Sequence, residues 1–246
     1  MVKPLKIGLV NEFKDRLAQI EARIEAACQR ADRARGDIRM MAVSKVHPVS
    51  AIAEAIAAGV TLFGENRVQE FQAKSVELAA LGITGAEFHL IGHLQSNKAA
   101  KAAELFSAID TVDSLRLAEK LNESAVKFGS VLPILLEIKL SDEPSKDGLD
   151  PAGTELRQIL DRLTDLHGLA MHGLMTIAPL DDDPKTARAC FRTLRQLRDV
   201  LCAAYPKLDW GELSMGMSGD FEIAIEEGST LVRIGTALFG KRAHVV

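Results

Sequence analysis

After a leading helical stretch, eight short and largely apolar runs follow one another along the chain, with a helix-length amphipathic stretch between each and the next. The first run is Ile38-Arg39-Met40-Met41-Ala42-Val43-Ser44, and the others fall at 60–64, 87–92, 107–113, 132–139, 169–177, 212–216 and 229–235. Between them lie helical patterns at 49–58, 66–80, 96–105, 114–127, 151–167, 183–204 and 219–227. Strands that are apolar on both faces are covered on both faces, which means parallel strands under a layer of helices. Eight such units in 246 residues are the arithmetic of a single (β/α)8 TIM barrel occupying 1–246, with a doubly wound sheet as the other arrangement of the same elements. The leading helix lies outside the repeat. Its apolar stripe runs through Phe13, Leu17, Ile20, Ile24, Ala27 and Ala31, and Gly36 is the expected stop.

Composition closes off several function classes. The 30 basic and 34 acidic residues leave a net charge of -4, too balanced for a nucleic-acid or membrane surface as main partner. Cys28, Cys190 and Cys202 are an odd number with no paired spacing, so neither a disulfide framework nor a zinc site is expected, and a reducing cytoplasm is. All three read as small core hydrophobes. The residues at 1–13 are not expected to form a signal peptide, and no uncharged apolar run reaches membrane-spanning length.

Barrel chemistry takes place at the C-terminal ends of the strands, so the polar residues there carry the functional argument. Lys45 ends the first run, where partial desolvation would lower its pKa and make the amine a nucleophile. A stem that merely snorkels to solvent is the other reading of a lone strand-end lysine. Leu213-Ser214-Met215-Gly216-Met217-Ser218-Gly219-Asp220 follows the seventh run, and Ile234-Gly235-Thr236-Ala237-Leu238-Phe239-Gly240 follows the eighth. Barrels bind phosphate with these two loops, through backbone N–H groups at a short helix start. A first-strand amine facing such a cradle is the arrangement that pyridoxal phosphate requires: amine for the aldehyde, amides for the phosphate.

The motifs AVSK (42–45), FGENRVQE (63–70), HLIGHLQSNK (89–98), GLMTI (173–177), LSMGMSGD (213–220) and STLVRIGTALFG (229–240) resemble, in order, those of the pyridoxal phosphate homeostasis proteins. That family is similar in fold to the alanine racemase barrel, and the resemblance runs from about residue 8 to 242. It implies that Lys45 forms the internal aldimine, that Ser218, Gly235 and Thr236 hold the phosphate, that Arg233 faces the pyridine nitrogen, and that Asn66 and Met215 line the ring. His93 departs from the family pattern, at the mouth of the site.

The resemblance implies a carrier that holds pyridoxal 5'-phosphate in the cytoplasm without robust catalysis and passes it to apo-enzymes. An amino acid racemase is the alternative. In that fold two-base chemistry resembles a partnership of the cofactor lysine with a tyrosine from a second domain. Here the one tyrosine, Tyr205, ends the sixth helical pattern, and the chain stops at Val246. His89 and His93 are four apart, but on a strand and its turn they would not share a face, so no metal site is expected. His172 reads as a core or rim histidine, Asp181-Asp182-Asp183 as a helix cap, Lys98 and Lys139 as surface or anion-attracting lysines, and Glu222, Glu226 and Glu227 as an outer helix face. The stretch 141–153 is expected to be a loop over the strand ends.

Overall fold

The computed structural model describes residues 7–141, 143 and 147–240. Eight parallel strands close into a barrel in sequence order, β1 (Arg39–Val43), β2 (Leu62–Glu65), β3 (Glu87–Leu90), β4 (Ala108–Val112), β5 (Leu132–Glu137), β6 (Leu169–Met175), β7 (Glu212–Met217) and β8 (Leu231–Ile234), with β8 paired back onto β1. Around them run α2 (Val49–Ala57), α3 (Val68–Ala80), α4 (Ala99–Leu105), α5 (Leu115–Phe128), α6 (Thr154–Leu163), α7 (Pro184–Ala204), α8 (Phe221–Glu226) and the short α9 (Thr236–Phe239), while α1 (Ile7–Arg30) precedes the repeat.

Side-chain alternation along the strands builds two cores. Met41, Val43, Leu62, Ile91 and Leu231 form a small cluster inside the barrel. Their neighbours Ala42, Phe63, Val232 and Ile234 face outward into the much larger layer between sheet and helices. Helix ends follow local chemistry. The Ser114 hydroxyl accepts from Leu117 N–H at the start of α5, and the Asp183 carboxylate accepts from Lys185 N–H ahead of Pro184 in α7.

Several expectations need correction. α1 stops at Arg30, with Asp32 in the left-handed region at φ 52°, before Gly36 is reached. α6 begins at Thr154 rather than 151, because Asp150 caps a tight turn by accepting from Ala152 N–H. Cys28 and Cys190 are buried, but Cys202 lies on the exposed side of α7. The stretch 141–153 falls partly outside the described residues, at 142 and 144–146. Its far end returns to the sheet, where Leu149 bridges Ile138. The acidic residues of α8 are a clamp rather than a free face: Arg23 pairs with Glu222, Arg30 with Glu226, and Arg188 and Arg192 with the buried Glu227.

Candidate functional site

A cavity of about 250 Å³ opens at the C-terminal ends of the strands, lined by Val43, Lys45, Asn66, Ile91, Ile177, Met217, Ser218, Gly219, Arg233, Gly235 and Thr236. Six of the seven residues expected at the site from sequence therefore meet in one place. Met215 does not. β7 carries a bulge: Ser214 pairs with Leu231 and Met217 with Arg233, so three steps on β7 oppose two on β8. Met215 follows the inward-facing Ser214 and so points outward into the shell, fully buried, while the extra residue brings Met217 to the cavity wall. Gly216 makes the bulge possible, with φ 94° and no room for a Cβ, which would meet the Ala224 methyl at 2.5 Å.

Each polar wall is held by a specific bond. Arg233 is only 3% exposed, and its guanidinium donates to Ser214 Oγ at 2.7 Å and to the Thr176 carbonyl at 2.8 Å. Burial draws its pKa downward, against the charges of Asp110, Glu137 and Asp220. Ser218 Oγ accepts from the N–H groups of Gly235 and Ala237, at 3.3 and 3.4 Å, so two amides and a hydroxyl converge at the start of α9. Such a convergence of backbone donors suits a phosphate. Asn66 Oδ1 is buried without a partner among the described residues, an acceptor awaiting a donor. The Asn66 backbone is packed so tightly that a Cβ on Gly92 would lie 2.4 Å from its carbonyl oxygen. A half-buried amine at Lys45, a buried guanidinium, an amide cradle and an orphan acceptor together fit pyridoxal phosphate by the chemistry of the donor set.

A second compartment of about 190 Å³ shares Asn66, Ile91 and Ile177 with the first and adds His93, Glu137, Lys139 and Asp147. His93 Nδ1 lies 2.9 Å from Asp113 and 3.5 Å from Asp147, and the three ligand-type atoms sit within 4.8 Å of one another, a spacing that a cation could bridge. Burial, with Asp113 adding to it, pushes the Glu137 carboxyl up to about 7. Burial also raises Asp113, against the pull of His93. Asp113 stands out in the sequence as a polar residue at the end of its strand run, whereas Glu137 sits inside an apolar run and only the fold aims it at the cavity.

His89 belongs elsewhere. It faces the opposite end of the barrel, where its ring bonds Asp110 at 3.0 Å in a cavity of about 430 Å³ also lined by Arg39, Glu87, His172 and Glu212. Burial pulls the His89 pKa down, but the charge and hydrogen bond of Asp110, with the charge of Glu212, together outweigh it and raise the pKa. His172 is exposed there, paired with Asp209. Tyr205 closes α7 at that same end and donates to Asp161.

Beneath Lys45 lies a network that the spacing of single residues did not reveal. Ser44 Oγ donates to Glu65 Oε1 at 2.7 Å, and Lys74 Nζ donates to the same oxygen at 2.8 Å. Burial raises the Glu65 pKa in spite of these donors. Glu70 is also desolvated, but the hydrogen bond from Lys74 and that from the Val46 N–H outweigh burial and lower it. A signal was present: Lys74 falls on the buried stripe of α3 with Val68, Phe71 and Leu78.

Fold and site together define a barrel of the alanine racemase N-terminal domain class, and the model of that domain family matches residues 16–243. The pyridoxal phosphate homeostasis protein of Escherichia coli K12 is 42% identical over 235 residues, covering 96% of this chain and 99% of that protein. PipY of Synechococcus elongatus, solved with PLP bound, is 42% identical with a TM-score of 0.82, covering 93% of this chain and all of the other. An alanine racemase from Clostridium difficile superposes with a TM-score of 0.67 at 18% identity; the match covers 91% of this chain and 56% of that one, a likeness of fold. Within the barrel class, the chain belongs to the family of pyridoxal phosphate homeostasis proteins.

Proposed function

We propose that this chain binds pyridoxal 5'-phosphate, holds it as a Schiff base on Lys45, and serves intracellular vitamin B6 homeostasis without robust catalysis. The observation that carries the reading is the convergence of Lys45, Arg233, Ser218, Gly235 and Thr236 on one cavity at the C-terminal face of the barrel. In it Ser218, Gly235 and Thr236 take the phosphate, Arg233 faces the ring nitrogen, and Asn66 with Met217 flanks the ring. Bound here, the cofactor supplies a reactive aldehyde and an electron-withdrawing ring.

Arg233 tempers the second property. A guanidinium offers only donors and stays charged, so the ring nitrogen opposite it accepts a hydrogen bond and remains unprotonated, which weakens the ring as an electron sink. That favours keeping the cofactor over spending it. Amino acid racemization needs a second base, and the one tyrosine of the chain is tied to Asp161 at the far end of the barrel. The natural recipients in this reading are apo-enzymes that require the cofactor.

The test is the absorption spectrum of purified protein loaded with pyridoxal phosphate, followed by borohydride reduction and peptide mapping. A single reduced adduct on Lys45, lost in Lys45→Ala, is expected, with amino acid turnover well below about 1 per second. An adduct on another lysine, or enzyme-like turnover of any amino acid, would refute the proposal.

A further inference from the structure

The residue after Lys45 has a backbone that its side chain disfavours. Val46 sits at φ 62°, in the left-handed region, although it is β-branched. The Ser44 carbonyl accepts from His47 N–H at 3.0 Å, which closes a turn with Lys45 and Val46 as its central residues. The second central position of such a turn takes positive φ and suits glycine. A valine persists there only where the surroundings over-determine the conformation.

Those surroundings are the buried network of β2 and α3. Lys74 Nζ donates to the Ser44 carbonyl at 2.9 Å, and Glu70 Oε1 accepts from the Val46 N–H at 2.6 Å. Lys74 in turn pairs with Glu70 at 2.9 Å and Glu65 at 2.8 Å, and Ser44 Oγ donates to Glu65. The peptide groups on both sides of Lys45 are therefore tied to a single ion-paired cluster. Glu65 is fully buried and Lys74 nearly so, which keeps water from competing for these bonds. Glu65, Glu70 and Lys74 themselves do not line the cavity.

We propose that Glu65, Glu70 and Lys74 are positioning residues that hold the 44–47 turn in its strained form and so present the Lys45 amine to the cavity. This rests on Lys45 as the attachment point. When an aldehyde attaches, the amine nitrogen bonds its carbon, and the carbonyl oxygen leaves as water with both amine hydrogens. A turn free to relax would still leave the cavity able to bind the phosphate and ring, but would withdraw the amine from the aldehyde. The network thus governs covalent attachment separately from binding.

Two probes separate those events in the full-length chain: pyridoxal phosphate, which carries the aldehyde, and pyridoxine phosphate, an alcohol that cannot bond an amine. Glu70 is part-exposed, so Glu70→Ala is the mildest way to cut the network, with a thermal melt to confirm folding. We expect Glu70→Ala to weaken pyridoxal phosphate binding about tenfold, the worth of one charge-assisted hydrogen bond, and to leave pyridoxine phosphate unchanged. Glu70→Gln keeps an acceptor for the Val46 N–H and should recover most of the loss. Val46→Gly removes the strain and should shrink the cost of Glu70→Ala. Equal weakening of both ligands, no weakening of either, or a Glu70→Ala cost unaltered by Val46→Gly would overturn the proposal. An unmodified chain that binds pyridoxal phosphate without a reducible bond at Lys45 would instead refute the functional reading beneath it.

Discussion

Glu137 makes the stability of the cofactor-free protein depend on pH in a calculable way. The carboxyl ends β5 at 6% exposure, its Oε2 has no partner among the described residues, and burial raises its pKa from 4.5 to about 7. Below pH 4.5 folded and unfolded chains both carry the proton, and the group makes no difference to stability through ionisation. As pH rises, the unfolded chain ionises first, so stability falls until the folded carboxyl also ionises near pH 7, and is level above that. At 1.36 kcal/mol per pKa unit the full loss is about 3 kcal/mol, of which about 2.5 falls between pH 5 and pH 8. Glu137→Gln is neutral throughout and approximates the protonated carboxyl. Urea unfolding at pH 5 and pH 8 should therefore show the variant close to the unmodified protein at pH 5, and more stable than it by about 3 kcal/mol at pH 8. A difference between the two proteins that stays the same at both pH values would refute the reasoning, because it would mean that Glu137 ionises as readily when folded as when unfolded.

Arg233→Glu places a carboxylate among Asp110, Glu137 and Asp220, whose charges now face a guanidinium. A loss of stability of about 3–5 kcal/mol is expected by thermal unfolding, with pyridoxal phosphate affinity down at least about a hundredfold in an absorbance titration. Gly92→Ala drives a methyl to 2.4 Å from the Asn66 carbonyl, whereas Gly36→Ala meets open space. Calorimetry should show a cost of about 1–3 kcal/mol for the first and near-neutrality for the second, with weaker cofactor binding in the first alone.

The eight strands could be read from sequence because parallel strands buried on both faces carry a nearly continuous apolar signal, and the turn residues between them interrupt it. Lys45, Ser218, Gly235 and Thr236 followed from that order, since barrel geometry dictates which strand ends meet. Three things did not follow. The β7 bulge brings Met217 to the cavity, and nothing in LSMGM marks where one residue is inserted against β8. The four residues of α9 are too few to show a period, so they read as loop. Pairings such as Glu70 with the Val46 N–H join residues 24 apart, and only the folded chain brings them together. Lys74 did carry a signal that went unread, as a charged residue on an apolar stripe with carboxylates for neighbours.

The packing of α1 has a consequence for the order in which the protein can be completed. Phe13 packs with its ring tilted against Phe239, Arg16 donates to the Leu238 carbonyl across 222 positions, and Arg33, just past the helix, donates to the carbonyls of Ile225 and Ser229. The partners of α1 are therefore synthesised some 200 positions after it, and β1 likewise waits for β8. Contacts so distant in sequence form slowly and late. A nascent chain that has not yet reached β8 would carry Lys45 without Arg233, Gly235 and Thr236 opposite it, and the apolar stripe of α1 would stay uncovered. The interval before β8 closes the barrel is therefore when apolar surface is most open to aggregation.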